Sequence, residues 1–348
     1  MRIQFILKER KEPFVGETPQ EGKILSSGLF NSSSFMKQML DAEGHITEIV
    51  HAEDNNRIDA LCHKFRPDIC IIEAYWVVPE KFDILHKLHP NIKWIIRNHS
   101  ATPFFANEGM VMDWSLRYMN YENVFLCSND IRAHNDILSI AQSMNLPNRY
   151  FYLPNFYPYK LNTRTHQPDK NEINISCFGA MRPLKNHLIQ AIAAIKYADK
   201  HNLKLKFHVN GSRIEMKGEP IVHNLQKMFS KFTDKHELIE HAWLPHEDFI
   251  KLISTMDVSL QVSYTETFNI VSADAAVNDV PIVVSSDIKW ADDLAYADPN
   301  DSDSIVLAIE RVLADPSIKI SNILGIKKYS EATRDIWRDN LFRIYNFK

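Results

Sequence analysis

Glycine is scarce in this chain, with 9 among 348 residues. No Gly-x-Gly-x-x-Gly turn follows the first apolar run, which argues against a nicotinamide dehydrogenase. A Walker-type lysine loop is missing too, which argues against a P-loop nucleotidase. Asn, Ser and Asp must therefore fill some turns where glycine would otherwise serve. Cysteine is almost as sparse. Cys62, Cys70, Cys127 and Cys177 each stand alone in an apolar segment, in no zinc-binding spacing. They read as buried free thiols of a reducing compartment. No apolar run approaches the roughly 20 residues that span a bilayer. The run at 3–7 reads as a first strand rather than a signal peptide, so the expected location is the cytoplasm. Charge of one sign is lacking as well: the net value is −4, with no broad basic field to advertise nucleic acid.

What is present is a soluble composition, 45% hydrophobic and 24% charged, in a chain long enough for two domains. Strand-like runs at 3–7, 47–50, 68–72, 94–97, 124–127 and 150–153 alternate with helix-like stretches at 32–42, 57–65, 79–88 and 131–144. Such alternation predicts an α/β fold with a parallel sheet. The run then breaks at Pro154-Asn-Phe-Tyr-Pro158, followed by a polar stretch that reads as a linker. The alternation restarts, with strand-like runs at 173–178, 204–210, 238–240, 258–262 and 281–284, and a weaker one at 294–297. Helices are expected at 187–201, 220–232, 246–256, 271–277 and 302–314. The expected domains are 1–155 and 156–331, with a helix over 332–348 crossing back to the first domain.

The stretch 266–281 carries the sharpest signal. It places Glu266, Phe268-Asn269-Ile270 and Asp274 between an apolar run and a helix closed by Val280-Pro281. Two acids eight positions apart lie about two turns apart on one helical face. Strand, acidic loop, helix, strand is the place where a parallel sheet binds ligands beyond its strand ends. The loop after the first strand of the second half reads Gly179-Ala-Met-Arg182-Pro-Leu-Lys185-Asn186 and runs into a helix. A helix N-terminus with two cations suits a diphosphate. Asn210-Gly211 ends the next strand, and His241-Ala-Trp243-Leu244 follows the one after. Asn210-Gly211 reads either as a plain turn or as part of a nucleotide pocket, and Trp243 and Leu244 either as core or as flanks of a base.

These elements resemble retaining nucleotide-sugar glycosyltransferases of the GT-B architecture, two Rossmann-like domains facing across a cleft, specifically the family 4-like group with its Glu-x7-Glu signature. Asn269 stands where that family has Gly, and Asp274 where it has the second Glu. The resemblance implies that Glu266 binds the donor sugar near its anomeric centre, and that Phe268, Asn269 and Ile270 offer backbone N–H groups. It implies that Asp274 takes the ribose hydroxyls, and that Arg182 and Lys185 neutralise the leaving diphosphate. Gly179, Asn210, Gly211, Trp243 and Leu244 would line the nucleotide, and Gly28 would lie in a loop before the first long helix, near the donor phosphates. His99, directly after a strand in Arg97-Asn-His99-Ser100, would reach the donor sugar; a capping or core histidine is the other reading.

The implied reaction moves a sugar from a nucleoside-diphosphate sugar, most simply a UDP-sugar, to a hydroxyl acceptor with retention. Neither a cofactor nor a metal is expected. Asp301-Ser-Asp303 looks like a metal motif of another glycosyltransferase fold, but it precedes a helical run and reads as a cap. The expected acceptor is a glycan, a lipid-linked precursor or a small molecule. Two alternatives are a phage-type transferase acting on 5-hydroxymethylated bases in DNA and a catalytically inactive sugar-nucleotide-binding protein. Lys8, Arg10 and Lys11 form the basic cluster that the DNA alternative would use.

Overall fold

The computed structural model describes residues 1–9, 28–162, 164, 166–232 and 234–347. They form two compact units. One comprises residues 1–9, 28–158 and 329–347; the other comprises the described residues of 159–328. Arg10 and Lys11 of the basic cluster lie outside the described residues.

The first unit contains β1 (Arg2–Lys8), α1 (Gly28–Ala42), β2 (Ile46–Ala52), α2 (Arg57–Phe65), β3 (Ile69–Glu73), α3 (Phe82–Leu88), β4 (Lys93–Asn98), α4 (Val111–Tyr118), β5 (Val124–Ser128), α5 (Ile131–Ser143) and β6 (Tyr150–Tyr152). Its strands form one parallel sheet in the order β2-β1-β3-β4-β5-β6. β3 and β5 are buried along their whole length, as expected of central strands covered by helices on both faces. On one face Phe82 meets Trp94 and Tyr118 edge-on, with ring centroids 5.6 and 5.8 Å apart.

The second unit contains β7 (Glu172–Cys177), α6 (His187–Lys200), β8 (Lys204–Val209), α7 (Glu219–Phe229), β9 (His236–Glu240), α8 (His246–Ile253), β10 (Val258–Gln261), α9 (Ile270–Val277), β11 (Ile282–Val284) and α10 (Ser302–Ala314). Its parallel sheet runs β11-β10-β7-β8-β9. The last helix, α11 (Pro316–Tyr345), begins in the second unit and ends in the first. The architecture is thus α/β with two parallel-sheet units of Rossmann type.

Several elements differ from the sequence expectation. Gly28, expected in a loop, is helical and belongs to α1. The polar run Asn31-Ser-Ser-Ser34 is helical, and two of its hydroxyls face inward: Ser32 Oγ donates to Asn155 Oδ1 at 3.0 Å, and Ser33 Oγ lies 2.9 Å from the Leu29 carbonyl and 3.1 Å from Glu73, which share its one proton. The weak strand at 294–297 is a single 3-10 turn, Asp293–Ala295, with one bridge from Tyr296 to Val284. α11 starts sixteen residues before the expected 332, at Pro316, where Asp315 caps it through the Ser317 N–H at 2.9 Å.

The segment read as a linker is buried at its start. The guanidinium of Arg97 donates to the Leu153 and Pro154 carbonyls and to Asn155 Oδ1. From α11, Trp337 Nε1 donates to the Pro154 carbonyl at 2.7 Å and Ser330 Oγ to the Tyr157 carbonyl at 2.9 Å. All four cysteines are buried free thiols, and burial pushes Cys177 up to about 12.

Candidate active site

In the second sheet, β7 and β10 are neighbours, but β7 leads on to β8 on one side and β10 to β11 on the other. This is the switch point of the sheet, where the loops leaving two adjacent strands diverge and open a crevice. The two loops concerned are those that carry Arg182 with Lys185 and Glu266 with Asn269.

The loop after β7 turns at Gly179, whose φ of +117° lies in the left-handed region. Its N–H donates to Asn210 Oδ1 at 2.8 Å, tying it to the end of β8. Met181 then pairs with the next segment, its N–H on the Arg213 carbonyl at 2.8 Å and its carbonyl on the Glu215 N–H at 2.9 Å. A short 3-10 turn, Pro183–Lys185, delivers the chain to Asn186 in left-handed geometry (φ 60°), and α6 begins. Asn186 Nδ2 donates to the Val262 carbonyl at 3.0 Å and the Pro299 carbonyl at 2.8 Å.

The loop after β10 is built with the same device. Asn269, again left-handed (φ 59°), caps α9 by accepting the Ser272 N–H at 2.8 Å. Its Nδ2 donates to Gln261 Oε1 at 2.9 Å, and Gln261 Nε2 donates to the Phe178 carbonyl at 2.7 Å. Gln190 closes the network, accepting the Val262 N–H at 2.8 Å and donating to the Lys185 carbonyl at 2.8 Å. Asparagine therefore takes the left-handed position at the entry of each helix, and side-chain amides stitch the two loops together.

Within this frame Lys185 Nζ donates a short hydrogen bond to the Glu266 carboxylate. The Glu266 N–H is held by Asp287 at 3.1 Å. Both side chains are nearly buried, so their charges meet in a poorly solvated place. Arg182 and Arg213 share one carboxylate, Glu215, at 3.9 and 2.8 Å. Arg213 also lies over the Trp243 ring, 4.1 Å from its centroid, while the Trp243 N–H donates to Ser212 Oγ at 2.9 Å. Leu244 is half-buried beside it. Gly211 lies against Glu240: an added Cβ would come within 2.3 Å of its carboxylate.

Asp274 is 1% exposed and pairs with His246 Nε2 at 2.9 Å. Burial disfavours the charged imidazole, but the hydrogen bond and charge of Asp274 outweigh it, and the His246 pKa is raised. Phe268 is core: it is 1% exposed and its carbonyl accepts the Trp290 indole N–H at 2.8 Å. Ile270 opens α9, so its N–H and that of Val271 have no partner within the helix. His187, the first residue of α6, is buried with neither ring nitrogen hydrogen-bonded among the described residues. Burial, then Lys185 and Arg182, push its pKa down to about 3, so it stays neutral and leaves the charge at this helix start to the two cations. Asp301 is the N-cap of α10, accepting the Asp303 N–H at 2.8 Å, and Asp303 pairs with Lys196.

His99 belongs to the first unit and makes its contacts there. It follows β4 and donates from Nε2 to Glu73 at the end of β3, beside Arg97. The sequence reading missed Glu73, Arg213, His246, Asn186, Gln190 and Gln261. Glu73 and Arg97 did leave a signal, since each is a charge directly after an apolar run, Ile69-Cys-Ile-Ile72 and Trp94-Ile-Ile96. Nothing local in the sequence pairs His246 with Asp274, 28 positions later.

Residues 172–315 match the family described as Glycosyl transferases group 1, so the second unit carries a glycosyltransferase group 1 domain. No curated protein matches the sequence significantly. Solved structures match over the full chain at low identity. An E. coli structure described as trehalose-6-phosphate bound with UDP-2-fluoro glucose gives a TM-score of 0.70 at 11% identity, covering 100% of both chains. A UDP-forming α,α-trehalose-phosphate synthase from Burkholderia vietnamiensis gives 0.69 at 9%, covering 100% of this chain and 97% of that one. Sucrose-phosphate synthase from Thermosynechococcus elongatus gives 0.65 at 13%, covering 98% of each. The fold is that of these GT-B glycosyltransferases. No helix among the described residues is long and apolar enough to cross a membrane.

Proposed function

We propose that this protein transfers a sugar from a nucleoside-diphosphate sugar, most simply a UDP-sugar, to a hydroxyl of a carbohydrate-type acceptor, with retention and without a metal ion. The observation that carries the reading is the meeting of Lys185 and Glu266 at the switch point of a glycosyltransferase group 1 domain. A cation suited to a leaving diphosphate and a carboxylate suited to sugar hydroxyls there touch each other. The names of the similar structures, UDP-forming and sugar-phosphate synthases, support UDP as the leaving group and a sugar phosphate as the first acceptor to try.

In this reading the diphosphate lies at the start of α6 between Arg182 and Lys185. Helix N–H groups and cations are in place for the charge that grows as the bond from the anomeric carbon to the phosphate oxygen breaks. The acceptor oxygen bonds to the same face of that carbon, and its proton passes to the departing phosphate oxygen. Glu266 orients the sugar, the N–H groups of Ile270 and Val271 face its phosphate side, and Asp274 with His246 takes the ribose. The protein's work is orientation and charge stabilisation.

Calorimetric titration with UDP, GDP and ADP, followed by incubation of labelled UDP-sugars with sugar phosphates, soluble glycans and hydroxymethylated duplex DNA, tests the reading. Binding of UDP and label in a carbohydrate are expected. Failure to bind any nucleoside diphosphate would sink it, and label in DNA would replace the acceptor.

A further inference from the structure

The first unit holds a buried carboxylate that the transfer scheme leaves unused. Glu73 closes β3 and is 1% exposed. It accepts from Ser33 Oγ at 3.1 Å, lies 3.3 Å from Arg97 Nη1, and accepts a short hydrogen bond from His99 Nε2. Arg97 is itself fully buried and spread over Ser32, Asn155 and two backbone carbonyls, with Trp337 beneath it. The next residue, Ala74, is left-handed with φ 68°, its N–H fixed on the Arg97 carbonyl at 3.0 Å. A left-handed alanine persists only where its surroundings over-determine it, and such residues gather at ligand sites.

The chemistry of the cluster settles which way the imidazole is protonated. Burial alone would raise the Glu73 carboxyl, but the charge of Arg97 and the hydrogen bonds of His99 and Ser33 outweigh it and hold it below the usual range. An ionised carboxylate only accepts, so His99 Nε2 carries the proton. Burial pulls the His99 pKa down, Arg97 adds to this, and Glu73 only partly opposes it, so the ring is neutral near pH 7. A neutral imidazole with its proton on Nε2 has its lone pair on Nδ1. Nδ1 lies 3.5 Å from Asn129 Nδ2, at the outer limit of a hydrogen bond. His99 is also the one member of the triad that reaches solvent, at 14% side-chain exposure against 0% for Glu73 and Arg97.

We propose that Glu73 is the positioning residue of His99, fixing the Nε2–H tautomer so that Nδ1 accepts a hydrogen bond from a substrate hydroxyl. That the hydroxyl belongs to a sugar rests on the transfer reading above. A Glu73–Arg97 pair that merely joined β3 to β4 would not dictate the state of the histidine.

Long-range 1H–15N spectra of the full chain read the tautomer directly. The wild-type ring is expected to be protonated on Nε2 alone. In Glu73→Gln the negative charge beside the ring is gone while Arg97 stays, so His99 should titrate at lower pH and lose its single tautomer. Turnover of the UDP-sugar should fall about ten- to hundredfold, with UDP affinity changed less than about twofold. An Nδ1–H ring in the wild type overturns the proposal without any variant, so a Glu73→Gln that fails to fold does not remove the test. An unaltered tautomer and titration in a folded Glu73→Gln overturns it too. A wild type with the expected tautomer that neither binds UDP nor turns over a UDP-sugar overturns the transfer reading instead, and the hydroxyl contact with it.

Discussion

The imidazole Nε2 of His246 lies 2.9 Å from Oδ1 of Asp274, so the acid expected to take the donor ribose already has a partner on the opening residue of α8. Aspartate is one methylene shorter than the glutamate of the resembling family, and the imidazole stands beside the shortened acid. The raised pKa of His246 has a definite sign for stability. The pair contributes stability that is fully present below the unfolded value of 6.5 and is lost as pH rises through the raised folded value. Thermal midpoints of wild type and His246→Ala should therefore differ more at about pH 5.5 than at about pH 9. A gap of equal size at both would show that the pair is not charged in the fold.

Glu266 and Asp274 should separate by role. Asp274→Asn should weaken UDP itself by about 1.5–3 kcal/mol, roughly ten- to hundredfold, through loss of a charge-assisted hydrogen bond. Glu266→Gln should lower turnover strongly and leave UDP affinity intact or tighter, because it releases Lys185 from its ion pair. Equal losses of UDP affinity in the two variants would refute the division.

Donor turnover should survive EDTA. Arg182, Lys185 and the start of α6 supply positive charge where the diphosphate would leave. Loss of activity on chelation, restored by Mg²⁺ or Mn²⁺, would assign that role to a metal.

The two loops should differ in what they tolerate. Both Asn269→Gly and Asn269→Ala lose the bond to Gln261, but glycine keeps the left-handed turn, whereas alanine should cost about 1–2 kcal/mol more for its φ and about 0.5–1 more as a cap. Urea midpoints would rank them, and an alanine as stable as the glycine would mean the turn is not held. Gly218→Ala should be worse for the other loop, since its Cβ would fall 2.0 Å from the Met181 carbonyl oxygen. Backbone would have to move, and UDP binding through Arg182 should suffer with it.

The legibility of this chain follows from how its signals are written. The α/β alternation was readable because parallel strands buried on both faces appear as unbroken apolar runs, as in Ile69-Cys-Ile-Ile72. Glu266, Asn269 and Asp274 stood out because a strand, a polar loop and a helix follow one another directly. α11 did not. Its buried stripe runs Ile318, Asn322, Ile326, Ser330, Thr333, Trp337, Leu341 and Ile344, the right helical spacing with three polar residues in it. Those three bond to Asp292, Tyr157 and Asn155, partners far away in sequence, so a periodicity of apolar residues breaks where the helix does not. The same holds for the Gln190, Gln261 and Asn186 network, whose meaning exists only once β7 and β10 are neighbours.

The shared last helix has a consequence for how this gene can be cut. The first unit is not a contiguous stretch of message: its sheet is encoded before the second unit, and the helix turns that cover Pro154 and Arg97 are encoded after it. A stop codon just after residue 328 would spare nearly all of the second unit. It would strip Trp337, Leu341 and Ile344 from the first, so damage written after the second unit would be felt in the sheet encoded before it.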